Sequence, residues 1–146
     1  SGQEETAEWL ADNGADIIIG THPHVIQDFQ TLPVCGMDGA KEVPVAYSLG
    51  NAVSNMSAKN TQLELMATLK VVREGNGDIR MLPLEFTYLW CSRPGGYNDS
   101  YTVIPVADFV GRRHEWENGW DYDRMMETYR HVSGITGIKD IRQINE

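Results

Sequence analysis

Positive charge is scarce in this sequence: 12 lysines and arginines face 21 aspartates and glutamates, a formal net charge of −9. Such a chain offers few cationic contacts to a polyanion, so nucleic acid is excluded as an expected partner, and nothing draws the chain to an anionic bilayer. Long apolar runs are also lacking. No stretch approaches the roughly 20 residues that span a bilayer, and the opening SGQEETAEWL has neither the basic nor the apolar region of a signal peptide. These absences predict a soluble segment. Ser1 and Gly2 stand where a methionine would, directly before an acidic helical stretch, so further sequence upstream is expected.

Cysteine is nearly absent. Cys35 and Cys91 are too distant for a CxxC metal or redox motif, and they can be two separate thiols or one long-loop disulfide. Also missing are GxSxG, a Walker glycine loop and GxGxxG, which leaves serine hydrolase, nucleotide-binding and dinucleotide-binding readings without a motif.

What is present suits a folded chain: 41% hydrophobic and 23% charged residues over 146 positions, enough for one domain or part of one. Ala7, Leu10 and Ala11 share a helical face over Gln3–Asn13, with Trp9 beside it and Gly14 as the C-cap. A short aliphatic strand, Asp16–Gly20, follows. The helix, glycine, strand order is that of an α/β unit. Val25–Phe29 reads as a second extended piece and Leu32–Pro44 as a loop or turn rich in Pro and Gly, after which Val43–Leu49 is a strand ending at Gly50 and Asn51.

Thr61–Arg73 alternates as one strand, with Leu63, Leu65, Ala67, Leu69 and Val71 on one face and Glu64, Thr68 and Lys70 on the other. The turn Glu74–Asp78 returns it through Leu82, Leu84, Phe86 and Tyr88, which predicts a β-hairpin. Ser92–Ser100 is a loop. Residues 101–146 read as a helical tail, with helices around Ala107–Trp116 and Asp121–Val132, Asp121 as N-cap, and a packing stripe of Met125, Tyr129 and Val132.

Two histidines in ADIIIGTHPHVIQ carry the candidate chemistry. His22 and His24 flank one residue, so on an extended segment both imidazoles can project to one side and reach a shared cation. Pro23 stiffens the residue between them and lowers the entropy cost of holding both rings. Two such rings can equally serve only to bond backbone groups at a turn. Arg112, Arg113 and His114 could grip an anion, yet beside Glu115 and Glu117 they read better as a solvated surface with ion pairs. His131, toward a helix C-terminus, suits an exposed imidazole.

GADIIIGTHPHVIQ followed by VPVAYSLGN resembles the bacterial capsule synthesis CapA family, the poly-γ-glutamate biosynthesis proteins, whose fold is similar to that of calcineurin-like metallophosphoesterases. The resemblance covers Ala7–Asn51, and the hairpin from Leu63 to Tyr88 agrees with it in kind. It implies the carboxyl-terminal part of a four-layer α/β/β/α sandwich, α/β or mixed α+β in class. It also implies that His22 and His24 are metal ligands and catalytic, holding divalent ions that polarise a substrate oxygen and activate water. Thr21 and Asn51 would then be substrate-binding. Thr21 makes the loop one residue longer than the Gly-His-x-His motif of those enzymes. The remaining Asp, Asn and His ligands would lie upstream, so the site in this segment is expected to be incomplete and the segment alone inactive.

By the same resemblance the role is capsule or poly-γ-glutamate biosynthesis, with an anionic polymer or its precursor as substrate, cleaved or transferred at a phosphoester or amide bond. The location is the cell envelope, membrane-associated or extracellular. The implied partners are the amino-terminal half of the same domain and, through exposed strand edges, a second copy of the chain. The rival expectation is a non-catalytic module that binds the polymer or an assembly partner while the histidines only shape the loop.

Overall fold

The computed structural model describes residues 2–36 and 39–144. They form a mixed α/β structure of three small sheets and three helices. Helix α1 (Gly2–Asp12) buries Ala7 and Ala11 but leaves Leu10, expected on the same face, exposed, and turns at Gly14 into β1 (Ile18–Ile19). The Asp16–Gly20 strand is thus present but only two residues long.

The segment Leu32–Pro44 is a correction. Instead of a loop, the chain makes a long hairpin, β2 (Phe29–Gly36) against β3 (Gly39–Ala46), with Leu32 opposite Val43 and Val34 opposite Lys41. Only Met37 and Asp38, between the strands, lie outside the described residues. The prolines are tolerated because Pro33 is on the edge strand of the β1-β3-β2 sheet and Pro44 lies one residue before the stretch that β1 pairs. Ala11, Val34 and Val43 bury a small core between this sheet and α1, with Ile18 and Leu32 packed against it.

The long strand Thr61–Arg73 is also corrected: it divides into β4 (Leu63–Thr68) and β5 (Val71–Arg73). Strand β5 pairs with β6 (Ile79–Met81) as a separate two-stranded sheet, and β4 pairs with β7 (Glu85–Ser92). The ladder breaks where the three residues Leu82–Leu84 oppose the two residues Leu69 and Lys70, and Pro83 has no N–H to offer there.

The range 101–146 is less helical than expected. It begins with β8 (Thr102–Pro105), which joins β7 in the order β4-β7-β8, followed by a single turn α2 (Val106–Phe109) and a 3-10 turn at Arg113–Glu115. The expected helix Ala107–Trp116 is therefore interrupted. Helix α3 (Gly119–Thr136) starts earlier than expected. Its N-cap is Asn118, whose side chain accepts from the Trp120 N–H at 3.0 Å.

Asp121 sits inside the helix, buried, with Oδ2 accepting from Ser92 Oγ at 2.6 Å and from Trp90 Nε1 at 3.3 Å. Met125 and Val132 pack onto β4 and β7 within the main core, beside Leu63, Leu65, Phe86, Tyr88 and Trp90, so the predicted stripe is a packing surface. Both cysteines are free, Cys35 exposed and Cys91 buried.

Candidate functional site

Strands β1 and β3 run parallel, with Ile18 opposite Val45 and Ile19 opposite Ala46. Parallel neighbours end on the same side, so the chain leaving β1 and the chain leaving β3 emerge together. Two glycines make the exits possible. A Cβ on Gly20 would stand 2.2 Å from the Tyr47 carbonyl oxygen, and Gly50 combines φ +84° with a Cβ position 2.9 Å from the Leu63 carbonyl oxygen. Each glycine is followed within two residues by a polar side chain of the site, His22 in one case and Asn51 in the other.

The histidine loop is not the extended segment that the spacing suggested. His22 and His24 both have positive φ, 101° and 60°, in a bend that an Ile26–Leu49 bridge closes. Left-handed backbone costs an L-residue roughly 1–2 kcal/mol, and such strain collects at functional sites. The imidazoles nevertheless share one neighbourhood. Their centroids are 6.1 Å apart with planes tilted by 42°, and both residues are exposed.

Asn51 holds the second ring. Its Oδ1 lies 2.7 Å from His24 Nδ1, and its Nδ2 donates to the His24 carbonyl at 3.1 Å. Because an amide oxygen can only accept, Nδ1 carries the proton of that hydrogen bond, and in the neutral ring Nε2 then bears the lone pair. A histidine whose one nitrogen is fixed by a hydrogen bond and whose other is free is arranged like a metal ligand or a general base. Nδ2 of Asn51 also reaches the Thr61 carbonyl at 3.5 Å and Met56 Sδ at 3.7 Å, which ties the loop after β3 to the same point.

Of the expected site residues, His22, His24 and Asn51 come together. Thr21 is exposed and lines a neighbouring cavity of about 300 Å³ between α1 and β1. His114 stays exposed, with Nε2 3.9 Å from Glu115, while Arg112 and Arg113 are engaged by Glu115 and Asp123, so the surface reading of that patch holds. His131 is exposed on α3.

Sequence patterning missed Glu64. Alternation placed it on the solvent face of its strand, but that face is covered, and Glu64 is 2% exposed with no hydrogen-bond partner for either carboxyl oxygen among the described residues. Burial pushes its pKa up to about 8, so at neutral pH it is chiefly a neutral acid. Gly50 packs directly over it, the Gly50 Cβ position falling 3.2 Å from Glu64 Cα. No local sequence signal separates this glutamate from an exposed one, because what covers it is the distant loop that begins at Gly50.

The segment that builds the site is also the segment that matches known proteins. Residues 1–56 fit the family described as bacterial capsule synthesis protein PGA_cap. Over them the chain is similar to that family. Proteins that the chain resembles include the capsule biosynthesis protein CapA of Bacillus anthracis, 34% identical over 82 residues, and the PGA biosynthesis protein CapA of Bacillus subtilis (strain 168), 30% identical over 83 residues. The matches cover 56% and 57% of the chain but only 18% and 20% of those relatives. No solved structure matches it.

The donor set can be tested against a divalent ion. Two imidazoles, one oriented by a carboxamide, have the right chemistry for part of a ligand shell. Among the described residues no group of three or more His, Cys, Asp or Glu side chains converges to complete it. The His22–His24 pair therefore fits a shared metal centre only as a contributor.

Proposed function

We propose that this capsule synthesis chain contributes two histidine ligands to a divalent-metal centre in a poly-γ-glutamate or capsule biosynthesis protein, a hydrolase or transferase with the layered metallophosphoesterase-like sandwich as its full fold. One observation carries the reading: the Asn51 carboxamide fixes His24 Nδ1–H and leaves Nε2 available beside His22. When bound, such ions polarise a substrate oxygen and lower the pKa of water. The chain's own part is to present Nε2 of His24, to hold the bend between the rings through Pro23, and, with Thr21 and Asn51, to border the substrate.

The further ligands would come from the rest of the domain. Two features of the sheet favour its continuation on the β1 side: β1 is an edge strand, and Trp9, Leu10 and Ile19 beside it are exposed apolar side chains. The same edge suits a second copy of the chain. The substrate is an anionic polymer or its precursor, and the protein works at the cell envelope, in keeping with the names of its relatives. No helix among the described residues is long and apolar enough to cross a membrane.

Metal analysis of the full-length protein, compared with His22→Ala and His24→Ala, tests the proposal. Both variants are expected to lose metal and turnover while keeping the wild-type circular dichroism spectrum. Full metal content in both would overturn it. The two-donor count favours the second reading, a non-catalytic module for polymer or partner, and that reading gains if the full-length protein binds polymer but holds no metal.

A further inference from the structure

The chain that leaves β3 returns as β4, and the loop between them is closed at its base by the Leu65 N–H, which donates to the Leu49 carbonyl at 2.8 Å. Asn51 stands near one end of that loop and Thr61 near the other. Thr61 is 3% exposed, and its hydroxyl donates between the carbonyls of Ala58, at 2.8 Å, and Met56, at 3.2 Å, while its N–H reaches the Ala58 carbonyl at 3.4 Å. The next residue, Gln62, exchanges two hydrogen bonds of 2.8 Å with the Cys91 backbone on β7. Thr61 is thus fixed both to its own turn and to the sheet.

A carboxamide is nearly symmetric in shape, so the Asn51 side chain fits its place with either Oδ1 or Nδ2 toward His24 Nδ1, and only its hydrogen bonds choose between the two. Both amide hydrogens have a carbonyl to meet. Nδ2 donates to the His24 carbonyl at 3.1 Å and to the Thr61 carbonyl at 3.5 Å. Turned over, Oδ1 would face those two carbonyl oxygens, acceptor against acceptor, and both bonds would be lost.

The orientation decides what the ring can do. With Oδ1 toward it, His24 Nδ1 carries the hydrogen and Nε2 of the neutral ring keeps the lone pair, whereas a turned amide would present N–H to Nδ1 and leave the hydrogen on Nε2. An Nε2 that carries hydrogen neither ligates a cation nor accepts a proton. The His24 carbonyl belongs to the same loop as the ring, so the Thr61 carbonyl is the fixed point that stands apart from it. The Met56 sulfur, 3.7 Å from Nδ2, is a weak acceptor and adds little.

We propose that Thr61 is a positioning residue that selects the tautomer of His24: its hydroxyl holds the turn from Met56, its carbonyl takes one amide hydrogen of Asn51, and Oδ1 is thereby kept toward Nδ1. The use made of the free Nε2 rests on the metal reading, whereas the choice of tautomer does not.

Two-bond proton–nitrogen NMR of the full-length, metal-free protein carrying isotopically labelled histidine tests it, at about pH 8, above the usual imidazole range, with the His24 signals identified by their loss in His24→Gln. The wild-type ring is expected to be protonated at Nδ1 alone. Thr61→Val, or Thr61→Ala should the valine variant not fold, removes the hydroxyl and is expected to shift the Nδ1 and Nε2 signals toward each other, as in a ring that exchanges between tautomers. Thr61→Ser and Met56→Leu are expected to keep the wild-type shifts. Circular dichroism of each variant verifies the fold. A wild-type ring protonated at Nε2, wild-type shifts in the variants without the hydroxyl, or an equal shift in Met56→Leu would overturn the assignment. The readout contains no metal, so its failure and a failure of metal binding are told apart.

Discussion

His24 Nδ1 and Asn51 Oδ1 meet at 2.7 Å across 27 residues of sequence, because β1 and β3 are parallel and end side by side. The contact sets the proton on Nδ1 and thereby the role open to Nε2. Asn51→Ala should release the ring and weaken metal binding by the full-length protein roughly 10- to 100-fold, the usual range for losing such an outer partner. Asn51→Asp, which keeps an acceptor, should retain most of the affinity. Metal titration monitored by calorimetry checks both, and an unchanged affinity in Asn51→Ala would sever the link between this contact and the metal.

The loop that carries Asn51 is pinned by Gly50, with φ +84° and no room for a Cβ beneath Leu63. Gly50→Ala should cost about 1–3 kcal/mol in stability through the strained φ and the clash. Gly75→Ala, where a Cβ meets nothing within 4 Å, should change stability by less than about 0.5 kcal/mol. Denaturant midpoints of the two variants give the comparison.

Glu64 makes stability depend on pH in a defined direction. Its carboxyl titrates near 8 when folded, raised by burial from an ordinary value of 4.5, so between those values the folded state holds a proton that the unfolded state has lost. The contribution is fully present below about pH 4.5 and is lost as pH rises toward about 8, with a limiting slope of about 1.4 kcal/mol per pH unit. Glu64→Gln, neutral and similar in shape, should flatten that part of the profile and stabilise the protein at pH 8. Urea melts from pH 5 to pH 8 measure it, and parallel profiles for the two proteins would show that Glu64 is not buried as described.

The buried Asp121 ties α3 to the β4-β7-β8 sheet through Ser92 and Trp90. Asp121→Ala would leave an indole N–H and a hydroxyl without their acceptor, at a cost of about 2–4 kcal/mol. Asp121→Asn should cost less, because it keeps an acceptor oxygen. The change in Trp90 environment should be visible in near-ultraviolet circular dichroism, and a wild-type melting temperature for Asp121→Ala would refute the account.

Several elements were legible locally. Ala7 and Ala11 marked the buried face of α1, Gly14 its end, the aliphatic run its strand, and Met125 and Val132 the packing face of α3, each because periodicity records which side of an element is dry. Where prediction failed, distant chain supplied the missing fact. Pro33 and Pro44 suggested a loop, yet they occupy positions in the β2–β3 hairpin that need no N–H, and edge status is a property of the assembled sheet. Glu64 alternated like a surface residue, but the loop from Gly50 covers its face.

The sequence by itself determined the donors: two imidazoles around Pro23, an asparagine after a glycine, and an acidic chain whose few cations are individually unremarkable. Only the tertiary structure decided which of them meet. Parallel pairing of two strands set Asn51 against His24, and the packing of α3 on its sheet brought Asp121 to Ser92 and Trp90. Residue type is written at each position, whereas proximity between positions far apart depends on strand direction and packing, which no local pattern encodes.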